Sequence, residues 1–176
     1  MKKYELTEKT KVVNGHTLHR IRSLIDFNKA KKGDLGGWIE HEGNLEQSGA
    51  AWVSGNALVY GNAWVSGAAR VSGAALVYGN AEVYGDARVY GIAEVYGDAR
   101  IHGDAEVSSH SNYIVFKNWW SSGRYFTWTR SNNMWSVGCF YGTGAELIKK
   151  AYKDSEVSGR EYERVVRYVE SILDDK

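Results

Sequence analysis

Two groups of residues in this chain have types and spacings that could do chemistry. The first interleaves rings with guanidiniums: Trp119, Trp120, Tyr125, Phe126, Trp128, Trp135, Phe140 and Tyr141, with Arg124 and Arg130 among them. Rings of this kind stack bases or a nucleotide while guanidiniums hold phosphate. The alternative is a small sheet that buries its aromatics for want of other core. Alternation along RYFTWTR puts Tyr125, Thr127 and Thr129 on one side and Phe126, Trp128 and Arg130 on the other. Both sides carry a ring, so one is expected to face outward. The second group is a single residue, His102, a candidate general base. Cys139 is the only cysteine, which excludes an intrachain disulfide and a cysteine-built metal site. No metal or cofactor is expected.

His102 sits in a repeat that must position it. Over residues 49–108, ten consecutive hexads read G-x-A-x-V-x, and two weaker ones cover 43–48 and 37–42, with Leu45 and Ile39 in the Ala slot. Apolar residues two apart are a strand signature, and a period of six does not supply the 3.6 spacing of a helix. Six residues are too few for a hairpin arm. They fit one side of a three-sided coil, with small Ala and branched Val filling the prism and Gly turning the corner. The pattern predicts parallel strands stacked about 4.8 Å apart.

The hexads resemble those of hexapeptide-repeat proteins. That resemblance implies a left-handed parallel β-helix of about four coils over 37–108, in twelve registers with no insertion. The class is mainly β. Residues 1–36 are expected to form an N-terminal hairpin cap and 109–176 a small α+β module. Many hexapeptide-repeat proteins are acyltransferases with a histidine base near a subunit interface. Those enzymes usually extrude a loop from the coil, and no hexad is interrupted here.

A spacing of eighteen gives three faces. The first reads Glu42, Tyr60, Tyr78, Tyr96 beside Glu40, Leu58, Leu76, Glu94. Leu58, Tyr60, Leu76, Tyr78 and Tyr96 therefore form an apolar face, to be covered by a terminal segment, a second copy or a foreign partner. The second reads Glu46, Trp64, Glu82, Arg100 beside Ser48, Ser66, Tyr84, His102, with a corner ladder of Asn44, Asn62, Asn80 and Asp98. The third reads Trp52, Arg70, Arg88, Glu106. Arg70 and Arg88 should stack, which is unfavourable unless an acid or anion intervenes. Asp86 and Asp104 are the near acids.

At the ends, Asn14-Gly15 between KVV and HTLHRI is a type I′ hairpin signal. Trp38 is the expected plug. Beyond Ser108, three short strands precede two helices, with capping boxes at Thr143/Glu146 and Ser158/Glu161. Tyr162, Val165, Val166, Val169, Ile172 and Leu173 make one apolar stripe.

The formal charge of +1 hides a segregation. Residues 1–36 hold nine Lys/Arg against four Asp/Glu, 37–108 three against nine, and 109–176 ten against eight. No apolar run reaches the ~18 residues of a membrane span, and Met-Lys-Lys is not followed by an apolar stretch, so a cytoplasmic location is expected. The whole arrangement, HTLHRIRSLIDF…KKGDLGGWIE, then coils, then FTWTRSNNMWSVGCFYGTGAELIKKAY, is similar to small proteins encoded by phages and prophages. That implies a bacterial host cell. The expected function is a non-enzymatic protein that binds and inhibits a host component, a defence system by preference. The binding residues are Leu58, Tyr60, Leu76, Tyr78, Tyr96, Trp119, Trp120, Arg124, Trp128, Arg130 and Trp135. The partners are a host protein or defence complex and further copies of the chain, with a trimer favoured, and a nucleotide or nucleic acid as a further ligand. The alternatives are an acyltransferase-like enzyme using His102 and an oligomeric sponge for a nucleotide signal.

Overall fold

The computed structural model describes residues 2–28 and 30–174. Two antiparallel strands, β1 (Tyr4–Val13) and β2 (His16–Ser23), form the opening hairpin. Asn14 and Gly15 both take positive φ, 51° and 83°, as a type I′ turn requires. β3 (Leu35–Ile39) pairs antiparallel with β2 and parallel with the first coil.

The coils follow as two-residue strands: β4 (Trp52–Val53), β5 (Leu58–Val59), β6 (Trp64–Val65), β7 (Arg70–Val71), β8 (Leu76–Val77), β9 (Glu82–Val83), β10 (Arg88–Val89), β11 (Glu94–Val95), β12 (Arg100–Ile101) and β13 (Glu106–Val107). They stack in parallel as β3-β5-β8-β11, β4-β7-β10-β13 and β6-β9-β12. Every Ala and Val of the G-x-A-x-V slots from Ala51 to Val107 is buried in one continuous core. Gly is needed at the corners. At Gly73 φ is +69°, and a Cβ there would stand 3.0 Å from the backbone of Gly91 in the next coil.

The spacing of eighteen holds from Gly49 onward and fails before it. Trp38 pairs with Leu58, Ile39 with Val59 and Leu45 with Val65, each twenty residues apart. Gln47 and Ser48 are therefore an insertion of two, and Ile39 and Leu45 fill Val slots rather than Ala slots. The reason is volume: a large branched side chain fits the Val position of the prism and not the Ala corner. Trp38 thus stands in the outward ladder above Leu58, beneath Lys11 and Arg20. Tyr4, Ile21 and Ile39 plug the prism instead. Asn44 is not in the corner ladder, which runs Asn62–Asn80–Asp98 at 3.1 and 3.2 Å.

The two ends are chemically opposite. Each coil donates N–H groups toward the C-terminus, so the first coil is left with free carbonyls and the last with free N–H groups. Donors close the first end. Lys3 Nζ reaches the carbonyls of Ser48 (3.1 Å) and Ala51 (2.8 Å), and the Tyr4 hydroxyl donates to those of Glu42 and Leu45. Acceptors close the other. Thr127 Oγ1 takes the N–H of Arg100 (2.9 Å), Ser131 Oγ that of Glu106 (2.7 Å) and Asn112 Oδ1 that of Ser108 (2.9 Å).

Burial lowers the Lys3 ammonium to about 8, opposed by the Glu46 carboxylate. Below that pH the amine is charged in both states. Between about 8 and 10.5 the folded protein holds a neutral amine while the unfolded chain keeps its proton, so stability rises with pH. Melting followed by circular dichroism should climb on the order of 5 °C between pH 7.5 and 9.5. Lys3→Met should flatten that rise, and an undiminished rise in the variant would contradict the assignment.

The C-terminal unit is a four-stranded antiparallel sheet, β14 (Tyr113–Lys117), β15 (Tyr125–Thr129), β16 (Met134–Val137) and β17 (Phe140–Gly142), with helices α1 (Gly144–Asp154) and α2 (Glu156–Asp174). β17 is a fourth strand where three were expected. Phe126, Trp128 and Trp135 face the helices and share a core with Leu147, Ala151, Tyr162, Val166 and Val169. Thr127 packs the other way, onto β12 of the last coil. The strand's centre is thus covered on both sides, and the expectation of one outward face fails. Thr143 and Glu146 form the capping box of α1. α2 starts earlier than Ser158. Ser155 Oγ accepts the Ser158 N–H at 3.0 Å, so Ser155 holds the position expected for Ser158.

Candidate functional site

Rings stack along the first face because β5, β8 and β11 are successive parallel neighbours, a repeat of about 4.8 Å. Tyr60 and Tyr78 lie 5.1 Å apart and 3° from parallel, Tyr78 and Tyr96 5.4 Å and 11°. The opening hairpin covers the upper end. His16 packs on Tyr60 at 4.9 Å, and Asn14 donates to its hydroxyl. Leu18 joins Trp38, Leu58 and Tyr60 in a small cluster against which Leu76 and Tyr78 are half-buried. The lower end is open, with Tyr96 51% exposed and Ile92, across the same coil edge, 80%. Tyr113 approaches from below and donates to the Glu94 carbonyl at 2.9 Å. Burial pushes the Tyr113 hydroxyl up to about 12 and raises that of Tyr78, so both are neutral donors at pH 7.

Of the aromatic set beyond the coil, Trp128 and Trp135 are buried and present no surface to a ligand. Trp120 is half-buried edge-on to Tyr162 at 4.9 Å. Trp119, at 74%, is the most exposed tryptophan. Arg130 is half-buried, and Arg124 is exposed. Arg124 lies in a cleft of about 590 Å³ that sequence reasoning missed, lined also by Asn80, Glu82, Asp98, Arg100 and Tyr125. Arg100 spans it, donating to the Gly138 carbonyl (2.9 Å) and pairing with Glu82 (3.4 Å). Chain distance hides this site: the coil and sheet walls meet only because Thr127 and Ser131 dock the sheet under the last coil.

His102 is wedged between Tyr84 and Tyr141, 4.0 and 4.1 Å away. Its Nδ1 is enclosed without a partner, and burial lowers its pKa. The imidazole is a neutral spacer between stacked rings at pH 7. Among the described residues no group of three His, Cys, Asp or Glu is placed to hold a metal ion.

The stacked coils agree with what comparison with known families finds. Residues 51–67 match the YdcK β-solenoid repeat, a stretch that spans the turn from β4 through β6. The coils of this chain have the architecture of a β-solenoid. The match covers one part of the solenoid and carries its architecture. No curated protein matched the chain. No helix among the described residues is long and apolar enough to cross a membrane.

Proposed function

We propose that this solenoid is a non-enzymatic recognition module whose first face docks on another protein. The observation that supports the reading is the open lower end of the tyrosine ladder. Tyr78 and Tyr96 are held parallel by a rigid backbone repeat, so their rings lose little freedom on binding. A few such pre-ordered rings carry most of the energy of an interface. The inward slots repeat Ala and Val from coil to coil, while the outward slots change from Tyr to Glu to Arg. A coil needs no such variety for stability, and recognition does.

The likeness to phage-encoded proteins makes a bacterial host component the partner class, with a defence complex foremost. The acyltransferase alternative is less well supported, because His102 serves as packing between Tyr84 and Tyr141. The test is phage propagation on a host carrying an intact defence system. Wild type and His102→Ala should both protect the phage, and Tyr96→Asp should not. Loss of protection in His102→Ala alone would return the enzyme reading. A trimer in light scattering that Tyr96→Asp converts to monomer would give the face to further copies of the chain.

A further inference from the structure

The third face carries a feature the first-face reading leaves unused. Arg70 and Arg88 are direct cross-strand partners in β7 and β10. Like charges in that position repel. The acid that answers Arg88 is Glu106, at 3.1 Å. The acids expected from the sequence are not the ones used, and Asp104 instead accepts from Asn132. Arg70 has a neutral partner, Asn28 Oδ1 at 3.3 Å, and no carboxylate stands within ion-pair distance of it among the described residues. The two guanidiniums open on a groove of about 340 Å³ whose other walls are Ser72, Tyr90 and Glu106. The Tyr90 ring is exposed, and its hydroxyl lies 3.5 Å from Glu106.

We propose that this groove binds an anionic ligand carrying a flat ring, of the mononucleotide class. A phosphate between Arg70 and Arg88 accepts from both guanidiniums and removes their repulsion. The Ser72 hydroxyl is a further donor on the same wall. The face of Tyr90 offers a platform for a base. Glu106 repels a second phosphate but accepts from a sugar hydroxyl, which favours a monophosphate with a ribose. The volume lies in the range of small-molecule sites. The site is built by one chain and does not depend on what docks on the first face.

Isothermal titration at low salt tests this with AMP, adenosine and inorganic phosphate as probes. AMP is expected to bind at about 100 μM or tighter, with adenosine and phosphate each at least about tenfold weaker. Arg70→Gln and Arg88→Gln should each weaken AMP about tenfold or more, and Tyr90→Ala roughly tenfold. Arg70→Gln should melt close to wild type, since it removes a repulsion and one exposed hydrogen bond to Asn28 but no ion pair, and such a melt means that its loss of binding cannot be assigned to unfolding. Absence of AMP binding at millimolar concentration, or AMP binding unaltered in both arginine variants, would overturn the site. Phosphate binding as tightly as AMP would overturn the nucleotide class.

Discussion

Val83→Asp should unfold the solenoid. Val83 is fully buried in β9, in register with Val65 above and Ile101 below, and every neighbour in the prism is Ala, Val or Ile. A carboxylate there meets no donor. Its burial costs about 4 kcal/mol or more, against a total stability of roughly 5–15 kcal/mol for a domain. Stacked coils have no alternative packing that would move the residue outward, because a shift of one residue turns every inward side chain out. Circular dichroism should show the cooperative melt lost or displaced far downward. Glu82→Ala, one residue away on the outside, removes a half-exposed ion pair with Arg100 and should change stability by less than about 1 kcal/mol. Equal melting of Val83→Asp and wild type would mean that the register is wrong.

Asn44→Leu should be nearly as damaging, for a different reason. The Asn44 side chain is fully buried at the first turn of the solenoid. Its Oδ1 accepts the N–H groups of Glu40 (3.1 Å) and His41 (3.0 Å), and its Nδ2 donates to the carbonyls of Gly61 and Ala63 (both 2.9 Å). Leucine is nearly isosteric and makes none of these bonds. The Glu40 N–H would keep the Val59 carbonyl and the Gly61 carbonyl would keep His41 Nε2. The His41 N–H and the Ala63 carbonyl would be left without a partner, at about 1–3 kcal/mol each, so a loss of roughly 2–5 kcal/mol is expected in urea titration. Asn62→Leu, in the exposed ladder with Asn80, should cost less than about 1 kcal/mol. Similar losses at the two positions would place Asn44 in the outer ladder after all. Asn112 does the corresponding work at the far end, taking the N–H groups of Ser108 and Ser109.

The contrast between these asparagines marks how far the sequence could be read. From Gly49 to Ser108 the register was legible because the Gly, Ala and Val slots differ in volume and repeat without interruption. The Tyr60–Tyr78–Tyr96 stack, the Asn62–Asn80–Asp98 ladder and the Arg70–Arg88 pair all followed from counting eighteen. In residues 37–48 the slots are occupied by Ile39 and Leu45, and assigning them by order rather than by size hid the two-residue insertion at Gln47 and Ser48. Size would have put both in Val slots and brought Trp38 into line with Leu58.

Local pattern also failed where two units meet. Alternation along β15 correctly paired Phe126 with Trp128, but it carries no information on what lies against Thr127. Only the free N–H groups of the last coil explain why hydroxyl-bearing residues face it. The Arg124 cleft was hidden for the same reason. Its walls, from Asn80 to Tyr125, belong to two units whose docking the sequence does not encode locally.

The central functional claim is that the outward rings of the first face, and not the imidazole, make the protein act. Quantitative capture from a bacterial lysate measures this most directly. Tagged wild type, Tyr96→Asp and His102→Ala are compared at equal folded concentration, with captured proteins quantified by mass spectrometry. Tyr96 is half exposed and His102 is wedged away from the first face. The account predicts one host protein enriched alike by wild type and His102→Ala, and depleted at least about tenfold by Tyr96→Asp. A partner retained in full by Tyr96→Asp and lost by His102→Ala would contradict it.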